Sequence, residues 1–370
     1  MSELEFIGMI HHREQSEIHP PKAGLVLDRG YIREFAQAAE TAGFDRVLVG
    51  YHSDAPDGFL VAASAAAHTE KLGFLVAHRP GFVAPTVAAR KFNSLDQITG
   101  GRAAIHVISG GDDADQRRDG DYLDKTERYA RTDEYVGILK RVWTEAGPIS
   151  HSGKYYKFEG APVEVRPAQQ PRIPIYFGGS SDAAIDVAGR VCDVYMLWGE
   201  THEQVRETIA RVRASAARYG RTVGFSVSFR PILAATEDEA WARAHRILEQ
   251  TLEIRARGGR GVSNLAPGTS AGSQRLLEAA AKGPVLDKRL YTAIAAATGA
   301  RGNTTALVGT PAQVADAILD YYDMGVGTIL IRGFDPIEDA LDYGRELIPM
   351  VRAEVARREA AAGDGSPRVA

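Results

Sequence analysis

The chain has 370 residues with 44 Lys plus Arg against 48 Asp plus Glu, a formal charge of −4, and so lacks the cationic excess with which a duplex-binding surface displaces phosphate counterions. At 44% hydrophobic and 25% charged it reads as an ordinary globular protein, long enough for two average domains or one large α/β barrel. Cys192 is the single cysteine, which excludes an internal disulfide and a thiolate metal cluster; no apolar run reaches the roughly 20 residues that cross a bilayer, and the acidic start Met1-Ser2-Glu3-Leu4-Glu5 is unlike a secretory leader, so a cytoplasmic protein without nucleic-acid or membrane partners is expected.

Short β-rich runs alternate with longer helical patterns. A strand is expected over 6–10, a helix over 31–42 closed by Gly43, and a strand over 46–51. The rhythm continues with a strand at 74–77, a helix at 85–97 ended by Thr99-Gly100-Gly101, and a strand at 103–109. After an interruption come a strand at 173–177, a helix from Asp182, a strand at 191–197, a helix at 203–219 and a strand at 224–233. The last unit is a helix at 311–324 followed by a strand at 326–331. Eight parallel strands with helical crossovers predict a (β/α)8 TIM barrel, because a ring removes both sheet edges; a doubly wound open sheet is the alternative. The barrel is favoured because polar and glycine-rich residues collect just after the strands, where they would share one rim. A single domain over 1–358 is expected, with an insertion at about 110–172, a glycine-dense mobile lid at about 254–305, and a disordered tail from Glu359.

Phe177-Gly178-Gly179-Ser180-Ser181-Asp182 lies between a strand and a helix. Glycines allow close approach to a ligand, hydroxyls donate, and a helix start favours an anion, so the loop reads equally as a phosphate cradle or as a simple helix cap. His11, His12, His52, His78 and His106 lie within or just after strands and would meet at a common mouth. A metal hydrolase is disfavoured, since the adjacent His11 and His12 point to opposite faces of a strand and no Asp ends the eighth strand. Arg230 follows the alternating run Phe225-Ser226-Val227-Ser228-Phe229, which places Ser226, Ser228 and Arg230 toward the barrel interior or mouth, where a guanidinium holds an anion. Arg301 falls in the lid, and Trp198 either floors a flat ligand or plugs the barrel. There is no G-x-G-x-x-G after the first strand, no P-loop and no G-x-S-x-G elbow.

Several strings resemble the bacterial luciferase-like flavin monooxygenases, most closely the alkanesulfonate monooxygenase branch: Leu60-Val61-Ala62-Ala63-Ser64, Pro85 to Arg90, Leu95-Asp96-Gln97 with Gly100-Gly101-Arg102-Ala103, Glu127-Arg128-Tyr129, Phe177 to Asp182, Trp198-Gly199-Glu200 and Thr305 to Gly309. The resemblance implies a TIM-like barrel that binds reduced FMN (FMNH2) from a separate NAD(P)H-dependent flavin reductase, adds O2 to form a peroxyflavin and oxygenates a substrate, with carbon–sulfur cleavage to aldehyde and sulfite typical of the nearest branch. Carried over by position, Gly178, Gly179, Ser180 and Ser181 correspond to the FMN phosphate loop, with Tyr129 near the same phosphate. Ala77 and His78 correspond to the segment behind the flavin ring, where relatives often have a non-proline cis peptide, and His106 and Ser109 to the ring edge. His12, Arg230 and Arg301 would act on substrate and oxygen, with His12 or His78 as proton shuttle; His11, Tyr51, His52, Trp198, Ser228 and Phe334 would line the substrate. The chain departs from that branch in having Ala55 for a cysteine, Ser228 and Arg230 for an Arg and a His, and Phe334 for a tyrosine. The resemblance also admits a deazaflavin (F420)-dependent oxidoreductase or a non-catalytic flavin-binding protein, and implies a homodimer or homotetramer.

Overall fold

Short strands buried on both faces, each followed by helical chain, need a parallel sheet covered on its outer side. In the computed structural model, which describes residues 4–257, 268 and 270–363, they form a closed barrel. The strands are β1 Glu5–Ile10, β2 Arg46–Val49, β3 Gly73–His78, β4 Ala103–Val107, β5 Ile175–Gly178, β6 Val194–Trp198, β7 Gly224–Leu233 and β8 Thr328–Ile331. Each pairs in parallel with the next, and β8 pairs with β1, which rules out the open sheet.

Alternation along the strands splits the core in two. Outward residues such as Phe6, Phe74, Val76, Ile105 and Phe225 pack beneath the helices. Inward residues Ile7, Leu75, Ala104, Tyr176 and Leu330 fill the barrel. At its base the Glu5 carboxylate accepts hydrogen bonds from Arg46 (2.7 Å), the Tyr176 hydroxyl (2.8 Å) and the Thr328 hydroxyl (3.1 Å). The helix Pro85–Thr99 begins on proline and stops at Gly100, whose φ of 66° suits a left-handed cap, so the sequence brackets it at both ends.

The insertion after β4 holds the helices Asp113–Arg118 and Lys125–Thr144 and an antiparallel hairpin, Ile149–Ser152 with Lys157–Ala161. The expected lid at about 254–305 falls only partly within the described residues. Residues 258–267 and 269 lie outside the described residues, and the chain beyond them is built structure: the helix Ala271–Lys282, two short strands, the helix Ala293–Thr298 and the strand Ala306–Gly309. That last strand pairs with Arg230–Leu233. β7 is thus ten residues long because its first half belongs to the barrel and its second half to a side sheet. Of the expected tail, residues 359–363 continue the terminal helix Ile348–Gly363, where alanines favour helix, and residues 364–370 lie outside the described residues. Among the described residues, no helix is long and apolar enough to cross a membrane.

Candidate active site

At the carboxyl ends of the strands the inward side chains become small. Ala77 of β3, Gly178 of β5 and Ser228 of β7 continue the inward alternation above Leu75, Tyr176 and Ser226, leaving room at the mouth that larger residues would fill. His106 pairs in register with Ala77 and faces the interior. Its Nδ1 is buried without a hydrogen-bond partner, and burial lowers its pKa to about 4, so it is a neutral imidazole awaiting a polar ligand.

The loop after β5 meets one edge of this mouth. Ser181 caps the helix Asp182–Val191, its hydroxyl accepting from the Ala184 N–H at 3.3 Å. The cap reading of this serine therefore holds, while Gly178 to Ser180 stay available. Gly179 has φ 144°; a Cβ there would lie 2.8 Å from Ala184 Cβ and 3.1 Å from the Tyr129 hydroxyl. A Cβ on Gly178 would come within 2.9 Å of the Met196 carbonyl. The two glycines thus keep open a cradle with Tyr129 at its side and a helix start at its base. Trp198, half-buried, stands at the end of β6, and the helix Ala271–Lys282 lies against its ring at Gly272.

Opposite, the loop after β1 carries His11 and His12, both half-buried. Burial and the nearby Arg332 hold His11 down at about 3, and burial with Arg13 lowers His12. His11 Nδ1 meets the Gln15 side chain at 3.0 Å. Tyr51 and His52 follow β2; the Tyr51 hydroxyl donates to Asp119 at 3.2 Å, and its ring stacks with Phe82. Arg301 lies 3.6 Å from Asp112, linking the segment before the side-sheet strand to the insertion.

Four residues expected at the mouth are turned elsewhere. Arg230 is fully buried. It donates to Glu17 (2.6 Å) and to the Gly333 carbonyl (2.7 Å) and lies 3.8 Å over the ring of Phe334. Phe334 is itself buried in the side-sheet core, so this pair braces the loops after β1 and β8. His78 lies on the outward face of β3. It shares a hydrogen bond of 2.7 Å with the Tyr135 hydroxyl and packs edge-on to Phe59 and Phe92, and burial holds it at about 3. Ser109 turns to the Thr132 hydroxyl of the insertion helix at 2.9 Å. The Ala77–His78 peptide is trans; among the described residues the cis bond is Gln170–Pro171.

Sequence reasoning named Arg79 only among the polar residues that follow the strands and did not single out Glu17, Arg332 or Asp115; the fold brings all four to the rim. Burial would raise the Glu17 pKa, but Arg230 and Arg332 outweigh it and hold the carboxylate at about 2. The position of Arg332 two residues beyond inward-facing Leu330 was a signal available in the sequence.

The sequence model of the luciferase-like monooxygenase family matches residues 4–328. Among solved structures, riboflavin lyase (RcaE), crystallised with modified FMN and riboflavin, is 20% identical, with a TM-score of 0.77 over 95% of this chain and 92% of its own. EDTA monooxygenase (EmoA) from Chelativorans sp. BNC1 is 19% identical, with a TM-score of 0.75 over 95% and 94%. The coenzyme F420-dependent tetrahydromethanopterin reductase from Methanopyrus kandleri is 20% identical, with a TM-score of 0.68 over 95% and 100%. These likenesses show the barrel fold.

Proposed function

Since this chain belongs to the luciferase-like monooxygenase family, we propose that it is a two-component monooxygenase that takes FMNH2 from a separate NAD(P)H-dependent reductase and uses O2 to oxygenate a small anionic substrate. The substrate class is an organosulfonate, cleaved to aldehyde and sulfite. The observation that carries this reading is the mouth itself, where the buried, unpartnered Nδ1 of His106 shares the barrel's inward face with the small residues Ala77, Gly178 and Ser228, beside the Gly178–Gly179 cradle.

Gly178, Gly179, Ser180 and the first N–H groups of the helix Asp182–Val191 would hold the flavin phosphate, with Tyr129 beside them. Ala77 and His106 would lie against the ring. Reduced FMN, when bound, supplies the electrons that activate O2. His12, neutral at pH 7, can accept a proton from the substrate side and return it. Trp198 and the helix Ala271–Lys282 exclude water from one flank of the site, and Arg301 brings a cation toward it. Arg230 acts by bracing Glu17 and the β8 loop rather than by touching substrate. A cytoplasmic homodimer or homotetramer belongs to the same reading.

The test is a sulfite-release screen with a flavin reductase, O2 and a panel of alkanesulfonates and sulfosugars. Sulfite formed in proportion to O2 consumed supports the proposal. Substrate turnover with reduced deazaflavin and no O2, or peroxide release without substrate loss across the panel, would replace it.

A further inference from the structure

Leu330 of β8 packs inside the barrel, and alternation carries the second residue beyond it, Arg332, to the same inward face at the mouth. Its guanidinium reaches across to β1, where Nη1 meets the thioether sulfur of Met9 at 3.8 Å. Nη2 lies 3.2 Å from the Asn303 carbonyl and 3.5 Å from Glu17. These are loose partners for a cation: a thioether accepts weakly, and the carboxylate stands at the outer limit of a hydrogen bond. Glu17 gives its short contact, 2.6 Å, to Arg230 through its other oxygen.

Two guanidiniums therefore share one carboxylate. Among the described residues, the charges that act on Arg332 are those of Arg230 and Glu17. His11 and His52 beside it are neutral, their pKa values lowered by burial. Asp54 and Asp115 act on His52 and not on Arg332, and Asp115 is paired with Arg79. The cluster is left with one positive charge. Burial and the repulsion of Arg230 lower the Arg332 pKa to about 10, so it stays a cation at pH 7, but one that a further anion would stabilise. A ligand can reach it. The Arg332 side chain is 23% exposed, against 1% for Arg230 and 5% for Glu17. The helices Arg29–Thr41 and Pro336–Asp342 cover β1 and β8 on the outside, so the approach is from the mouth. β8 stands three strands round the ring from β5, and Arg332 thus faces a different part of the mouth from the Gly178–Gly179 cradle.

We propose that Arg332 is the specificity-determining residue of this site, its guanidinium binding an oxyanion of the substrate at the β1–β8 side of the mouth while Glu17, fixed by Arg230, and the Asn303 carbonyl hold it in place. The inference rests on the anionic-substrate reading above and gives Arg332 the part that the sequence had suggested for Arg230. The ligand chemistry is an oxyanion on a short organic chain, a sulfonate or a carboxylate.

Calorimetric titration of the whole protein with 1-octanesulfonate, octanoate and 1-octanol, each with and without bound reduced FMN, tests it. Wild type should bind at least one of the two anions about tenfold or more tightly than the alcohol. Arg332→Gln leaves the Glu17–Arg230 pair intact and should erase that preference, with affinity for the alcohol and for reduced FMN unchanged. Arg332→Lys should keep the preference but weaken anion binding, since an ammonium lacks the fork, and it decides the matter if the glutamine variant does not fold. A wild type that prefers neither anion, an Arg332→Gln protein that still does or that loses anion and alcohol affinity alike, or an Arg332→Lys protein with unchanged anion affinity would overturn the proposal. Octanesulfonate preferred over octanoate points to a sulfonate, and the reverse to a carboxylate. Failure to take up reduced FMN alongside an Arg332-dependent anion preference would sink the monooxygenase reading and leave the Arg332 assignment standing.

Discussion

Glu17 and Arg230 are both buried, with side chains 5% and 1% exposed, so each depends on the other. Glu17→Ala strands a guanidinium under Phe334, and the expected loss is about 3–5 kcal/mol of unfolding free energy, read from urea denaturation; a loss below about 1 kcal/mol would mean that the pair is solvated. Glu17 is held at about 2 against an ordinary 4.5. Its folded-state pKa is depressed, so its contribution is fully present above pH 4.5 and is lost as pH falls toward 2. His78→Phe should remove the Tyr135 hydrogen bond at a cost of about 1–3 kcal/mol with no change in reduced-FMN affinity. Weakened flavin binding in that variant would return His78 to the site. The orientation of His78 was illegible in the sequence, because Phe74 to Ala77 are apolar on both faces and a period of two leaves no trace there. The burial of Arg79 was hidden for another reason: only the insertion, some 36 residues later, brings Asp115 to its guanidinium.

At the scale of elements, the cradle after β5 and the helix over Trp198 are the two pieces that shape the mouth. Gly179→Ala adds a methyl 2.8 Å from Ala184 at a φ of 144°, so it should close the cradle. Affinity for reduced FMN should fall by about tenfold or more, while octanesulfonate binding without flavin persists; an unchanged flavin affinity would mean that the phosphate goes elsewhere. The helix Ala271–Lys282 is pinned by Arg275, which donates to Glu200 at 2.9 Å and to Glu207 at 3.0 Å. Arg275→Ala should speed amide exchange in that helix, measured by mass spectrometry, more than in the barrel strands; uniform protection would show that Trp198 packing suffices. The β/α rhythm was legible because each helix carries its own punctuation, as at Pro85 and Gly100. The helices Glu237–Ala256 and Ala271–Lys282 were missed beside glycine-rich stretches, although Thr236 and Glu239 form a capping box that the sequence displays. The double allegiance of β7 is a tertiary choice and leaves no local mark.

For the whole molecule, several ionisable groups pull stability the same way. Burial depresses His11 and His78 to about 3 and His106 to about 4, so between these values and 6.5 the unfolded chain binds protons that the folded chain refuses. Stability should therefore fall steadily as pH drops from 6.5 toward 4, with Glu17 adding its loss below 4.5. Urea midpoints across that range should show it, and a flat profile would contradict neutral burial of these histidines.

The fold and the place of the mouth came from eight strands whose polar ends share a rim; a reduced flavin nucleotide is what we place in that mouth. An anaerobic titration of the wild-type protein and Ser180→Asp with reduced FMN and with reduced riboflavin, which has no phosphate, tests this without recourse to turnover. Wild type should show saturable uptake, with reduced FMN bound about tenfold or more tightly than reduced riboflavin, and an aspartate in the loop should abolish that advantage. No uptake by wild type, or equal affinity for the two flavins, would contradict it.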